Sequence, residues 1–538
     1  MPPALTYPGV YIQEIPSPVH TIAAVPTAVA AFVGRALRGP VNTPVRIHSF
    51  ADFQRTFGSL WAMSELGYAV QQFFLNGGAD AFVIRVYGSP LDLSNFNSNP
   101  PEIDLPALIG TLRIAPNSPG AWFSGVGLTV DYNTRVVSGS KVPGEFNLTF
   151  TLTEADPISG AKTITTENFA NVSVNAGSPN YIVSALQNNS KFILTAGAIP
   201  AQPPNPSPPG NPYTFTGQGG PAIDGSFLTE LDLTLPSLLA SKQGIYALED
   251  AEIFTLLVIP PHSPNEGVPL DLDPVIWSEA LAYIRNQNRR AMLLIDPPSK
   301  WTTKDKALTD LTASLPPPSV VRDPDTVMYF PWIYFSDPLL KGQPRAFAPS
   351  AAMAGVMSTI DSRRGVWKAP AGQEATIAGV QALVYNLTDA EIGDLNPLAL
   401  NCIRLLPIIG TVVWGARTLD GADAQASEWK YLPVRRTALF IEESLYRGTQ
   451  WVVFEPNDEP LWSQIRLNVG SFMRSLFRQG AFQGATPQEA YFVKCDSDTT
   501  TQFDIDSGVV NILVGFAPLK PAEFVVIKIS QIAGNIPT

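Results

Sequence analysis

The chain has 538 residues, of which 45% are hydrophobic and 15% charged, and 47 acids against 35 bases leave a net charge of −12. That length provides for roughly three or four domains with ample core, and the acidic balance excludes a general affinity for nucleic acid or anionic membranes. The two cysteines, Cys402 and Cys495, stand far apart and form no CxxC pair, which excludes a zinc knuckle or a disulfide framework and fits folding in a reduced cytosol.

The chain opens with "TYPGVYIQEIPSPV". Residues 10–15 read as a strand after a Pro-Gly turn, closed by Pro16 and Pro18. No Lys or Arg precedes Arg35, so the basic n-region of a signal peptide is missing. Residues 28–87 then alternate strand and helix: "VAAFVG", a helix from about Met63 to Leu75 stopped by "NGG", and the buried strand "AFVIRVY". From Gly88 to about Pro221 the texture becomes β. "FNLTFTLT" puts Phe146, Leu148, Phe150 and Leu152 on one face with Asn and Thr opposite, the mark of a half-solvated antiparallel strand. "GLTVDY" and "KTITTENF" read as its neighbours, and "AQPPNPSPPGNP" as a stiff linker.

From about Gly244, "IFTLLVIP", "AMLLIDPP" and "TVMYFPWIYF" are near-continuous apolar runs separated by helical patterns, which predicts a βαβ series with a parallel sheet. The longest apolar run, "LLPIIGTVVW", contains Pro407 and is too short to span a bilayer. Two long helices follow, at about 434–453 and 459–479, then the strands "AYFVKC", "VVNILVGF" and "EFVVIKIS". Strands thus stand near both ends with no obvious local partner. They pair with each other, or with other copies of the chain by strand addition.

The order of these segments resembles that of the contractile tail sheath proteins of phage tails and phage-like contractile injection systems. The residues that carry the likeness are "YPGVYIQEI", "VAAFVGRALRGPVNTPVRIHSFADFQRTFG" and "FFLNGGADAFVIRV" early in the chain, then "GPAIDG", "GIYALED" and "LLVIPP". "RRTALFIEESL", "WVVFEPNDEPLW", "GAFQGATPQEAYFVKCD" and "PAEFVVIKI" complete the set. The match is collinear along nearly the whole chain and weakest across the β insertion.

The resemblance implies an α+β multidomain fold: a discontinuous α/β core, strand arms at both termini, a non-catalytic parallel α/β domain of subtilisin-like fold, and an inserted antiparallel β domain. Drawn onto this sequence it gives an N-terminal arm at 1–18, core at 19–87, an outer β insertion at 88–221, the middle α/β domain at 222–394, inner core at 395–518, and a C-terminal arm at 519–538. It implies hexameric rings stacked helically around an inner tail tube, assembled in the bacterial cytoplasm as part of a phage tail or injection particle. The other partners are baseplate and tail terminator or cap proteins, with no nucleic acid and no membrane insertion. Contraction drives the tube through a target envelope. The arms, Val10, Tyr11, Ile12, Gln13, Glu14 and Ile15 at one end and Phe524, Val525, Val526, Ile527, Lys528 and Ile529 at the other, complete sheets of neighbouring subunits. Residues 16–26 and 517–521 serve as their bendable linkers.

Sites for chemistry are sparse. The three histidines are His20, His48 and His262. His262 follows a buried strand, where α/β folds place functional loops, and Asp296 follows the next one, with Ser263 and Ser299 as conceivable nucleophiles. An α/β hydrolase-like enzyme with a site near His262 is therefore the alternative reading. No Gly-x-Ser-x-Gly elbow occurs, however, and a structural loop histidine is favoured. "GQGGPA" (217–222) fits a dinucleotide fingerprint only formally, because Pro221 and a Pro-rich approach replace the strand and helix that would frame it. No Walker A sequence is present, so no cofactor is expected and stored conformational energy is the expected drive. The acidic pairs Asp271/Asp273, Asp323/Asp325 and Asp504/Asp506 lack a calcium ligand run and read as turns and caps, so no metal is expected either. Arg466, Arg474 and Arg478 fall within a sector of about 120° on the last long helix. They form a solvated face or, as the resemblance implies, a basic strip toward the tube.

Overall fold

A computed structural model describes residues 20–88, 90–155, 160–265, 268–313 and 321–526. It is a mixed α/β, multidomain chain with several sheets, separated into two compact units. The larger comprises Ala28–Arg363 and Pro370–Leu432; the other gathers the described residues up to Thr27, Arg364–Ala369 and those from Pro433 on.

An eight-stranded sheet organises the larger unit, in the order Val45–Ile47, Ala81–Arg85, Ala30–Gly34, Leu256–Val258, Met292–Ile295, Thr326–Phe330, Asn401–Leu406 and Gly410–Val413. Neighbours within the sheet run parallel, and the two edge strands are antiparallel. The apolar runs become its inner strands because helices cover both faces, leaving every residue of Ala30–Gly34, Ala81–Arg85, Leu256–Val258 and Met292–Ile295 buried. Crossover helices start where short polar side chains satisfy free amides: Asp273 accepts from Val275 at Pro274–Asn286, and Thr303 accepts from Lys306 at Lys304–Thr312. Helix Leu66–Leu75 stops at Asn76, and Gly77, at φ +89°, supplies the left-handed residue the stop requires.

Residues 19–87 and 222–394, expected in separate domains, supply adjacent strands of this one sheet: Ala30 pairs with Leu256 and Phe32 with Val258. A strand as apolar as "AAFVG" needs partners on both sides, and Ala81–Arg85 fills only one of them.

The insertion folds into two four-stranded sheets. Glu145–Ala155 lies between Val126–Asp131 and Lys162–Ser173, and its predicted apolar face (Phe146, Leu148, Phe150, Leu152) is at most 1% exposed. The Pro-rich stretch is not a free linker. The Asn205 amide donates to the Pro106 carbonyl and the Ser207 amide to that of Val130, so the segment lies bonded along the insertion. The prolines leave fewer amides to satisfy, and those of Asn205, Ser207 and Asn211 find carbonyls.

Arg85 fastens the insertion to the sheet. Its fully buried guanidinium donates to the carbonyls of Ala36 (2.9 Å), Gly39 (2.9 Å) and Pro119 (2.7 Å). Arg38 pairs with Glu154, and the Gly39 amide donates to Ser118 Oγ at 3.2 Å.

A second buried charge group ties helix Leu66–Leu75 to the sheet of Ile333–Asp337 and Gln343–Phe347. Arg345 meets Glu65 at 2.6 Å and Asp337 at 2.7 Å, and its guanidinium carbon lies 4.4 Å from the Tyr68 ring and 4.1 Å from the Phe347 ring. All three charged side chains are at most 6% exposed. Arg345→Met leaves two buried carboxylates unpaired, with an expected loss of about 3–5 kcal/mol in denaturant unfolding. Adding Glu65→Gln to that variant should recover part of the loss; a double variant less stable than the single one would contradict the charge account.

Candidate assembly surfaces

The smaller unit is built on two helices, Leu432–Gly448 and Glu459–Arg478. Asp458 caps the second by accepting from the Leu461 amide, and Pro460 sits in its first turn, where no amide is needed. Leu461, Trp462, Ile465, Val469, Phe472, Met473 and Leu476 recur at helical spacing and are buried; Phe440 of the first helix meets Phe472 with ring centroids 6.2 Å apart.

Onto this helix pair packs the hairpin of Tyr491–Lys494 and Leu513–Phe516. Tyr491, Val493, Val514 and Phe516 face the helical core, while Phe492 and Leu513, 47% and 51% exposed, face outward. Phe492 lies so close over Gly515 that a Cβ there would come within 2.3 Å of the ring. Among the described residues this sheet has two strands only, and its outer edges have no further strand beside them.

The chain enters this unit along helix Leu432–Gly448. His20 stacks on Trp451 with ring centroids 4.2 Å apart, and Ile22 is buried over Gly448, where a Cβ would approach it to 2.6 Å. The Val25 amide donates to Ser444 Oγ at 3.2 Å and Arg436 to the Thr27 carbonyl at 3.0 Å. Residues 20–27 are therefore a bonded strap, not the bendable stretch that the prolines imply. Two apolar side chains between the prolines, Ile22 and Val25, supply what it buries.

At the other end the chain leaves the hairpin with Ala517 bonded to Ala490 and Gln483. Beyond it Phe524, Val525 and Val526 adopt no regular structure and are 76%, 81% and 78% exposed. Val10, Tyr11, Ile12, Gln13, Glu14, Ile15, Ile527, Lys528 and Ile529 lie outside the described residues.

The three arginines of the last long helix divide. Arg466 turns inward, donating to the Cys495 carbonyl and pairing with Glu459, whose carboxyl it and Ser463 hold below the usual range. Arg474 and Arg478 are exposed. A helical wheel gives the direction of Cα–Cβ, but not how far a guanidinium can reach back.

The residues of the hydrolase reading are not brought together. The Asp296 carboxylate accepts from Ser350, from the amide at 2.9 Å and the hydroxyl at 2.8 Å, at the start of helix Ser350–Arg364. Ser299 donates its hydroxyl to Asp271 at 3.1 Å, and the Ser263 side chain lies outside the described residues. Burial, reinforced by the charge of Arg35, pushes His262 down to about 4, so its ring is neutral at neutral pH. Burial likewise pushes the thiols of Cys402 and Cys495 up to about 12 and about 11, away from nucleophilic thiolate. The acidic pairs act locally: Asp273 and Asp504 cap helices, and Asp323 pairs with Arg285 and accepts from the Asp325 amide. "GQGGPA" contributes the short strand Gln218–Gly219, paired with Pro101 and Glu102, in place of a phosphate-binding turn.

Known proteins match this architecture. Residues 424–532 match the phage tail sheath C-terminal domain family. A prophage major tail sheath protein of Pseudomonas aeruginosa strain UCBPP-PA14 is 24% identical over 296 residues, 53% of this chain and 68% of that one. The contracted sheath of PVC, an extracellular contractile injection system, superposes with a TM-score of 0.57 at 21% identity, covering 98% of both chains. The contracted helical sheath of the anti-feeding prophage gives 0.56 at 22% identity, covering 98% of this chain and 99% of that one. The fold is that of contractile sheath proteins. The likeness to the contractile tail sheath family therefore holds as a C-terminal family domain, as a sheath relative in sequence, and as the sheath fold along almost the entire chain. Among the described residues no helix is long and apolar enough to cross a membrane.

Asp296 also makes stability depend on pH. Burial raises its carboxyl from 3.8 to about 7, against the pull of the Ser350 bonds and with help from nearby Asp271. The folded state therefore holds a proton that the unfolded state releases, and stability falls as pH rises from about 4 to about 7, by on the order of 4 kcal/mol. Asp296→Asn should flatten that fall in unfolding curves taken between pH 4.5 and pH 8. Parallel curves for the two proteins would show that the carboxyl is not perturbed.

Proposed function

We propose that the chain is a structural sheath subunit of a contractile phage tail or injection particle. The observation that carries this reading is the pairing of an open-edged, two-stranded sheet with an exposed apolar segment, Phe524–Val526, leading away from it. On this reading the strands read at 10–15 and 524–529 complete sheets of other copies, and subunits close into hexameric rings stacked around an inner tube. Baseplate and terminator or cap proteins bound the stack, and no catalytic step is involved. The parallel sheet unit is then the family's non-catalytic domain, with the 88–221 insertion on the outside and 395–518 toward the tube.

The energetics support the reading. A six-residue strand adds about six main-chain hydrogen bonds at about 0.5–1.5 kcal/mol net each. That is modest for one arm, but two arms on every subunit make a cooperative net. Deleting residues 1–15 is expected to leave a folded protein that builds no tubes by electron microscopy of the purified chain. Normal ribbed tubes from the deletion would refute strand addition at the N-terminus.

Arg474 and Arg478, exposed on Glu459–Arg478 in an acidic protein, are the residues proposed to face the tube, with Arg466 bracing the helix behind them. Reversing both to Glu should weaken assembly templated by the inner tube protein more than tubeless polymerisation. Equal losses in both assays would remove the tube contact.

A further inference from the structure

At the carboxyl ends of the adjacent parallel strands Ala30–Gly34 and Leu256–Val258 lies a small crevice. From the first strand the chain proceeds to its neighbour Ala81–Arg85 on one side; from the second it proceeds to Met292–Ile295 on the other. Such a switch in direction opens a gap beyond the sheet, the place where α/β folds bind ligands. Gly34, Arg35, Ser64, Leu66, Pro260 and His262 are among the residues that line it.

The polar groups there are unevenly matched. Arg35 is 8% exposed, and its Nη2 donates to the carbonyls of Asp224 (3.3 Å) and Gly225 (3.2 Å). Its Nε and Nη1 are buried with no hydrogen-bond partner among the described residues, and so is His262 Nε2. The guanidinium carbon lies 4.6 Å from the Trp61 ring and 5.1 Å from the Phe227 ring, whose faces favour a cation but accept no ordinary hydrogen bond.

The local charge is also unbalanced. Arg85, 1% exposed, spends its donors on carbonyls, and it repels Arg35. Among the described residues Asp224 is the one carboxylate that acts on both guanidinium groups, and its own Oδ1 accepts from the Ala121 amide at 2.8 Å. Two buried cations thus share a single acid, and an uncompensated buried charge costs several kcal/mol.

We propose that this crevice is a binding site for a small inorganic anion of chloride size, held between the free donors of Arg35 and the Nε2–H of His262. A water molecule supplies an acceptor but no charge; an anion supplies both. About 20 Å³ of the crevice is open to a water-sized particle, which is room for one monatomic ion. The ring of His262 is neutral, so Arg35 contributes the attraction and His262 a directed donor. The inference is independent of the sheath reading.

Crystals of the full chain grown with bromide in place of chloride test it by anomalous scattering at the bromine edge. A peak in the crevice, lost in Arg35→Met, is expected. In solution, thermal unfolding of the full chain is compared in sodium chloride, sodium bromide and sodium gluconate at equal ionic strength. The two halides should raise the midpoint by on the order of 1–2 °C over gluconate at tenfold the dissociation constant, and Arg35→Met should abolish the difference. If Arg35→Met does not fold, His262→Leu keeps the cation and removes one donor, and should weaken halide binding about tenfold, the loss of one charge-assisted bond. A crevice without anomalous signal, or halide shifts equal in wild type and variants, overturns the proposal.

Discussion

A β-strand presents donors and acceptors along both sides, and how each sheet here treats its edges organises the rest of the molecule. The eight-stranded sheet ends in antiparallel strands at both sides, one of them only three residues long, Val45–Ile47. Short edges of this kind offer little to an incoming strand. The hairpin Tyr491–Lys494/Leu513–Phe516 does the opposite. Two strands alone are marginal in water, yet this pair is held by its apolar inner face on the helical core. Its fold is therefore secured by one face, which leaves the edges free for other use. Phe492 covers Gly515 from outside without occupying an edge.

The chain entering and leaving this unit is fixed more firmly than its proline content implies. Ile22, Val25 and His20 hold residues 20–27 against the helices, and Ala517 closes onto Ala490. On the proposed reading, tension on an arm passes into Leu432–Gly448 through the Ile22–Gly448 contact and two hydrogen bonds, and no slack is taken up between residues 20 and 27. Composition alone gives the wrong stiffness here, because two buried apolar side chains outweigh the prolines around them.

Periodicity made much of the fold legible. Phe146 to Leu152 alternate in the sequence and in burial because one face of that strand packs and the other meets solvent. The stripe from Leu461 to Leu476 and the cap at Asp458 mark a helix whose first turn falls at Glu459, where the structure has it. What the sequence hid was adjacency. "AAFVG" and "LLV" are buried on both faces, so neither carries a period that fixes its neighbours, and their pairing across more than two hundred residues depends on the crossovers between them. Long polar side chains hid their targets in the same way: Arg466 reads as part of a basic strip until its guanidinium is seen on the Cys495 carbonyl. Arg35 and His262 lie far apart in sequence and meet only because the strands before them are neighbours.

The way the insertion is fastened leaves most of its side chains free of any role in holding it to the sheet beneath. Arg85 reaches the insertion through one main-chain oxygen, that of Pro119, and braces the loop beneath it through those of Ala36 and Gly39. A carbonyl is present whatever side chain stands there, so the anchor on the sheet side constrains the path of the insertion and not its composition. Only a few of the fastening contacts involve side chains of the insertion, among them Glu154 with Arg38 and Ser118 with the Gly39 amide. The cost of this arrangement is that Arg85 spends its charge where no carboxylate answers it directly. Burial lowers its guanidinium from the usual arginine range to about 9, and Asp224 opposes that shift only in part. Five donors fixed in one plane let this deeply buried arginine hold the 36–39 loop and the insertion at Pro119 at once, which a lysine could not do.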